Sequence, residues 1–176
     1  MSEIKIVVDH LRLSYTGTMQ VKELFKIINR WSFERQLQKK EDRDHEYNEP
    51  DGKHIEYEIS HWKKISDYIK YIFKVRAIFK GIKKVEITMG KRKIKADHGT
   101  VTFFFDGFVE YDYEHRWDER PMFVFLRSIY DKFIYRPYSD RFDDRLVKEV
   151  NDLKNELETF LNMYRYHKVV SKAPYF

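Results

Sequence analysis

"VTFFFDGFVEYDY", residues 101–113, is the stretch on which the fold turns. Its Asp106-Gly107 pair sits between two apolar runs, ordinarily the strongest short-range sign of a hairpin. Parity opposes that reading. A two-residue loop would set Phe105 opposite Phe108 and Phe103 opposite Glu110, which puts a carboxylate into an apolar row. A bend or bulge at Gly107 instead keeps Val101, Phe103, Phe105, Val109, Tyr111 and Tyr113 on one face. One long curved strand is therefore expected, with Glu110, Asp112 and Glu114 on the wet side.

Upstream of it, residues 54–113 read as a strand meander. Ile55, Tyr57 and Ile59 of "HIEYEIS" share a face. Over 67–79, Ile69, Tyr71, Phe73, Val75, Ala77 and Phe79 point one way, while Lys70, Ile72, Lys74, Arg76 and Lys80 point the other. A turn near Lys80-Gly81 precedes the inward row Val85, Ile87 and Met89, and Gly90-Lys91 starts another turn. At the N-terminus, residues 3–14 form a strand that Tyr15-Thr16-Gly17 breaks. Thr18 then caps a helix with Leu24, Ile27, Ile28 and Trp31 on one face. The polar run 39–54, "KKEDRDHEYNEPDGKH", reads as an exposed loop.

The last third is helical. Pro121 opens a helix over 121–136 that is apolar around most of its circumference, and Pro137 ends it. A second helix over 142–165 carries Leu146, Val150, Leu153, Leu157, Phe160 and Tyr164 at 4-3 spacing. The expected architecture is α+β, one domain over 1–176. A twisted antiparallel β-sheet meander carries one N-terminal helix and two C-terminal helices, the last packed on the inner sheet face. The element order resembles the helix-grip arrangement of START and polyketide-cyclase-like proteins. That resemblance implies a curved sheet wrapped on a long C-terminal helix, an apolar ligand between them, and no particular chemistry.

Composition narrows the function classes. Aromatics at 17% and charged residues at 36% argue against disorder. With no cysteine, disulfides, zinc–thiolate sites and cysteine nucleophiles are excluded. No apolar run is long enough for a spanning helix and the start is not that of a signal peptide, so a cytoplasmic location is expected. Abundant Lys, Glu and Arg with only three Gln fit a thermophile's usage. The seven histidines form no HxH, HxxxH or HExxH motif; Asp97-His98-Gly99 reads as turn chemistry, and His115 as a core residue. Phosphate-loop, dinucleotide and nucleophile-elbow motifs are missing, so neither a cofactor nor a resident metal is expected. An enzyme has the least support.

The acidic stretch "EYDYEHRWDER", residues 110–120, reads as a solvated strand end whose carboxylates pair with neighbouring lysines. Three functional readings stay open. One is a binding protein for a small apolar or amphipathic ligand, lined by Tyr71, Phe73, Phe103, Phe105 and Tyr111. A second is a nucleic-acid or anionic-surface binder using Lys70, Lys74, Arg76, Lys80 and Lys84 on the outer strand face, with Tyr68 and Phe104 as exposed aromatics and Glu58, Glu86, Asp106 and Glu110 diluting the charge. The third is a scaffold, monomeric or a homodimer assembled through the 121–136 helix.

Overall fold

The computed structural model describes residues 3–89, 92–113, 136–164 and 169–172. Strand β1 (Glu3–Met19) leads into helix α1 (Val21–Glu34). Then come β2 (Gln38–Glu49), β3 (Gly52–Lys64), β4 (Ile69–Met89) and β5 (Arg92–Tyr111), followed by helix α2 (Arg136–Tyr164) and a short β6 (Val169–Lys172). The sheet is antiparallel in the order β1-β5-β4-β3-β2, and β6 adds to β4. The fold is α+β, and no helix among the described residues is long and apolar enough to cross a membrane.

The strand through Asp106-Gly107 is continuous. β4 and β5 pair without interruption from Ile69↔Tyr111 to Lys80↔Thr100, with Gly107 opposite Phe73. The irregularity falls on the neighbour, where β1 shifts register between Ile6 and Val8 and again between Val8 and Leu11. The inward parity of β4 and β5 holds: Ile69 to Phe79 and Val101 to Tyr111 alternate buried with part-exposed positions, and Asp106 and Gly107 are buried as well.

Three expected breaks are absent, and each has a physical cause. Tyr15-Thr16-Gly17 stays in β1 because Thr16 and Ser14 join hydroxyl pairs with Thr100 (3.0 Å) and Thr102 (3.2 Å), while Gly17 lies opposite Gly99. Lys80-Gly81 is a bulge inside β4, with Gly81 in the left-handed region at φ 63°. The supposed loop 39–54 is mostly β2, exposed along its whole length and closing on β3 at Glu49↔Gly52. An edge strand lying clear of the core shows no apolar alternation, and charge on such an edge discourages pairing with other chains. Its charges face β3 partners instead, in Arg43–Glu56 (2.9 Å) and Lys53–Glu46 (2.6 Å).

Helix α1 is not capped by Thr18. Gln20 sits at the cap without a side-chain bond, and the first amide, Val21 N–H, donates to Asp97 Oδ2 of β5 at 3.2 Å. Pro137 lies within α2 as its second residue, a first-turn position where the missing N–H costs nothing. The expected helix 121–136 and the Gly90-Lys91 turn lie outside the described residues, apart from Arg136 at the head of α2. Both helices pack on one face of the sheet. Leu24, Ile28 and Trp31 of α1 join Leu146, Val150, Leu153, Leu157 and Leu161 of α2 over Phe73, Phe79, Phe103 and Phe105. Leu161 takes the fully buried place expected of Phe160, which is part-buried.

Glycines line up across four strands where this long sheet changes course. Gly17 of β1 faces Gly99 of β5. A Cβ on Gly99 would lie 2.9 and 3.0 Å from the carbonyl oxygens of Lys80 and Gly81 in β4. A Cβ on Gly52 of β3 would lie 2.7 Å from the Gly81 carbonyl carbon. Backbones thus approach more closely than any side chain permits. Gly99→Ala should destabilise the domain by about 1–3 kcal/mol in chemical denaturation. Gly107→Ala, whose Cβ would meet Leu146 and Val8 at an ordinary 3.4 Å, should cost about 1 kcal/mol or less.

One core position is polar. His61 sits on the inner row of β3 opposite Phe73, is 0% exposed, and packs edge-on against Trp31 at 5.9 Å. Neither ring nitrogen, nor Trp31 Nε1, has a hydrogen-bond partner among the described residues. Burial pushes the His61 pKa down from 6.5 to about 4, with Lys39 adding to the shift. The unfolded chain therefore binds the proton first. The neutral ring's contribution is intact above about pH 6.5, fades as pH falls toward 4, and at full loss amounts to about 3 kcal/mol. Denaturation midpoints of wild type and His61→Phe should diverge over that window, with the variant keeping more of its stability at pH 4; parallel curves would contradict this account.

Candidate functional site

Past the glycine line, β4 loses one neighbour before it gains the next. β3 leaves it at Lys53↔Ile82, and β6 joins only at Val85↔Lys172. Lys83 and Lys84 pair with His98 and Asp97 on the β5 side but have no strand on the other side among the described residues. The first turn of α1 and the tip of the β2–β3 hairpin border this gap. Together they enclose a cleft of about 680 Å³. Its floor is apolar: Val21, Ile55, Ile82 and Val85, all buried. Its rim carries five lysines, Lys22, Lys53, Lys83, Lys84 and Lys95, against two carboxylates, Glu49 and Asp97.

Two of the lysines are already engaged. Lys84 Nζ reaches Asp97 Oδ1 at 2.5 Å, and Lys53 Nζ reaches Glu46 Oε1 at 2.6 Å. Asp97 is buried and bridges two partners, its other oxygen holding the first amide of α1. Lys22, Lys83 and Lys95 form no ion pair among the described residues. Like charges gathered over a low-dielectric floor focus a positive potential into the cleft. Chemically, the arrangement can hold an anion with an apolar part.

The expected basic strand face does not form one cationic surface. Lys70 pairs with Glu110 at 3.0 Å, and Lys74 and Arg76 both engage Glu58, at 2.5 and 3.5 Å. Arg76 also lies over the Phe104 ring, 5.6 Å from its centroid. Lys80 is exposed opposite Thr100, while Lys84 belongs to the cleft. Of the carboxylates expected only to dilute the row, Glu58 of β3 and Glu110 of β5 engage it directly, while Glu86 lies on β4 itself and Asp106 is buried, accepting from the His10 backbone N–H.

The five aromatic candidates are brought together, but within the core. Tyr71, Phe73, Phe103, Phe105 and Tyr111 are each at most 9% exposed. Phe73 meets Trp31 at 5.4 Å and Phe103 stacks on Phe105 at 6.0 Å. The Tyr71 hydroxyl donates to the Phe142 carbonyl at 2.9 Å, and burial pushes its pKa up. Among the described clefts, Tyr71 borders a polar one of about 310 Å³ with Arg35, Lys63, Arg145 and Glu149.

The acidic stretch separates into two behaviours. Glu110 pairs with Lys70 as expected of a wet strand face. Asp112, expected outward, is 2% exposed with φ 51°, and its N–H donates to the Tyr68 carbonyl at 2.8 Å. Residues 114–120, His115 among them, lie outside the described residues. Asp97-His98-Gly99 is strand, not turn. Among the described residues, two His–carboxylate groupings stand elsewhere. At Asp9, His10 and Asp106, the His10 N–H donates to Asp106 at 2.7 Å, and its ring contacts Asp9 at 2.6 Å, which raises the His10 pKa. At Glu49, Asp51 and His54, the ring lies 3.0 Å from Asp51, which holds that carboxyl below its usual range.

Lys22, Lys53, Lys95 and Asp97 were not expected to act together, and Lys83 was not singled out. One signal was present: positions 80–95 carry seven basic residues and one acidic one. No known family, curated protein or solved structure matches this chain.

Proposed function

We propose that this protein is a non-enzymatic binding domain that holds a small amphipathic anion in the lysine-rimmed cleft. The observation that carries the reading is the set Lys22, Lys83 and Lys95, without ion pairs among the described residues, over the floor of Val21, Ile55, Ile82 and Val85. The cleft's volume lies in the range of small-molecule sites, and an apolar lining with a few convergent polar groups is their usual make-up. Single-stranded nucleic acid fits less well, because no aromatic side chain among the described residues lines the cleft to stack a base. The neutralised strand face likewise offers little to a phosphate backbone. The helix-grip resemblance agrees with ligand binding as the class of function, while the site falls at the first turn of α1 instead of beside the terminal helix.

The test uses 8-anilinonaphthalene-1-sulfonate, an anion with an aromatic body, followed by fluorescence. Saturable binding to the native protein is expected, weakening with added salt. The triple variant Lys22→Glu/Lys83→Glu/Lys95→Glu should lose affinity by about tenfold or more. Equal binding by the variant would remove the cleft from the reading, and tighter, salt-dependent binding of a single-stranded RNA would replace it.

A further inference from the structure

We infer that the anion this cleft takes is a phosphate monoester carried on an apolar chain, an inference that rests on the preceding reading. Asp97 supplies the first part of the argument. It already holds the two groups at the α1 end of the cleft best suited to a carboxylate: the first amide of the helix, at 3.2 Å, and the Lys84 ammonium, at 2.5 Å. A ligand's head group is left to Lys22, Lys83 and Lys95. These are three ammonium groups, with no arginine among the described lining residues. Ammonium groups act as point charges with rotatable donors, whereas planar, bidentate capture of a carboxylate calls for a guanidinium fork.

Charge supplies the second part. A carboxylate brings one negative charge to three lysines. A phosphate monoester brings about −1.5 to −2 at neutral pH and three acceptor oxygens, one for each ammonium. The floor supplies the third. Ile55, Ile82 and Val85 line the cleft beneath the rim, so an apolar portion of the ligand can pack on them, which inorganic phosphate lacks.

The experiment is calorimetry of the full chain with octyl phosphate, octanoate and inorganic phosphate at one salt concentration. Octyl phosphate should bind about tenfold or more tightly than either of the others. Asp97→Asn retains an oxygen to accept the Val21 amide but frees Lys84, so it should tighten octyl phosphate binding several-fold. The Lys22/Lys83/Lys95 charge reversal should abolish it. Vesicles containing phosphatidic acid separate the sources: capture assigns the phosphate to a lipid head group, and binding of octyl phosphate without capture assigns it to a soluble monoester. Octanoate binding as tightly as octyl phosphate overturns the inference and leaves the amphipathic-anion reading standing. Inorganic phosphate binding equally well, or no effect of Asp97→Asn, overturns it too. Failure of both octyl ligands to bind removes both readings.

Discussion

The structure depends on one constraint: two strands of about twenty residues each, β4 and β5, remain paired from Ile69↔Tyr111 to Met89↔Arg92. Strands twist, and a ribbon this long cannot stay flat under a pair of helices. The strain is relieved where small residues permit it. Glycines from β1, β5, β4 and β3 meet near Lys80–Lys83, and β4 bulges there. On one side of that line the sheet carries α1, α2 and the aromatic core. On the other side β3 has departed and β6 has not yet joined. The cleft is what the departure leaves open.

The same pairing explains where the charges are quenched and where they are not. Lys70, Lys74 and Arg76 lie in full register between two strands, so each finds a carboxylate directly or diagonally across: Glu110 from β5, Glu58 from β3. Lysine at a gap has no such neighbour. Lys83 faces His98 on one side and, among the described residues, no strand on the other, and Lys22 arrives from a helix with no ladder at all. An unpaired cation cluster therefore arises from topology as much as from composition. Asp97 is the exception that organises it, because one carboxylate both restrains Lys84 and stands in for the missing side-chain cap of α1.

Legibility followed the number of partners each segment has. Where both faces are decided by one core, as at Tyr71, Phe73, Phe103 and Phe105, parity alone places the side chain, and it even overrules the Asp106-Gly107 hairpin signal. Gly17 and Gly81 misled because a glycine beside another strand's glycine supports close approach within a strand, and only the partner's sequence position shows which role applies. Strand β2 was hidden because an edge strand clear of the core has no buried face to reveal its period. The cleft was hidden for a stronger reason. Its lysines come from α1, β3, β4 and β5, and no local pattern encodes their meeting.

Local rules are broken at two places, and the two differ in kind. At His61 and Trp31 two rings pack edge to face inside the core with nitrogens that have no hydrogen-bond partner among the described residues, a place where a hydrocarbon ring would leave no polar group unsatisfied. At the cleft the breach is a gathering of like charge, since Lys22, Lys83 and Lys95 line it without an ion pair among the described residues. Sequences that are otherwise consistent across levels depart from consistency where something besides the fold is selected. The core histidine is a fault the surrounding apolar contacts tolerate. The lysine cluster stands over an apolar floor, where its positive potential is focused, and that is why the proposed anion site is placed there and not at the core histidine.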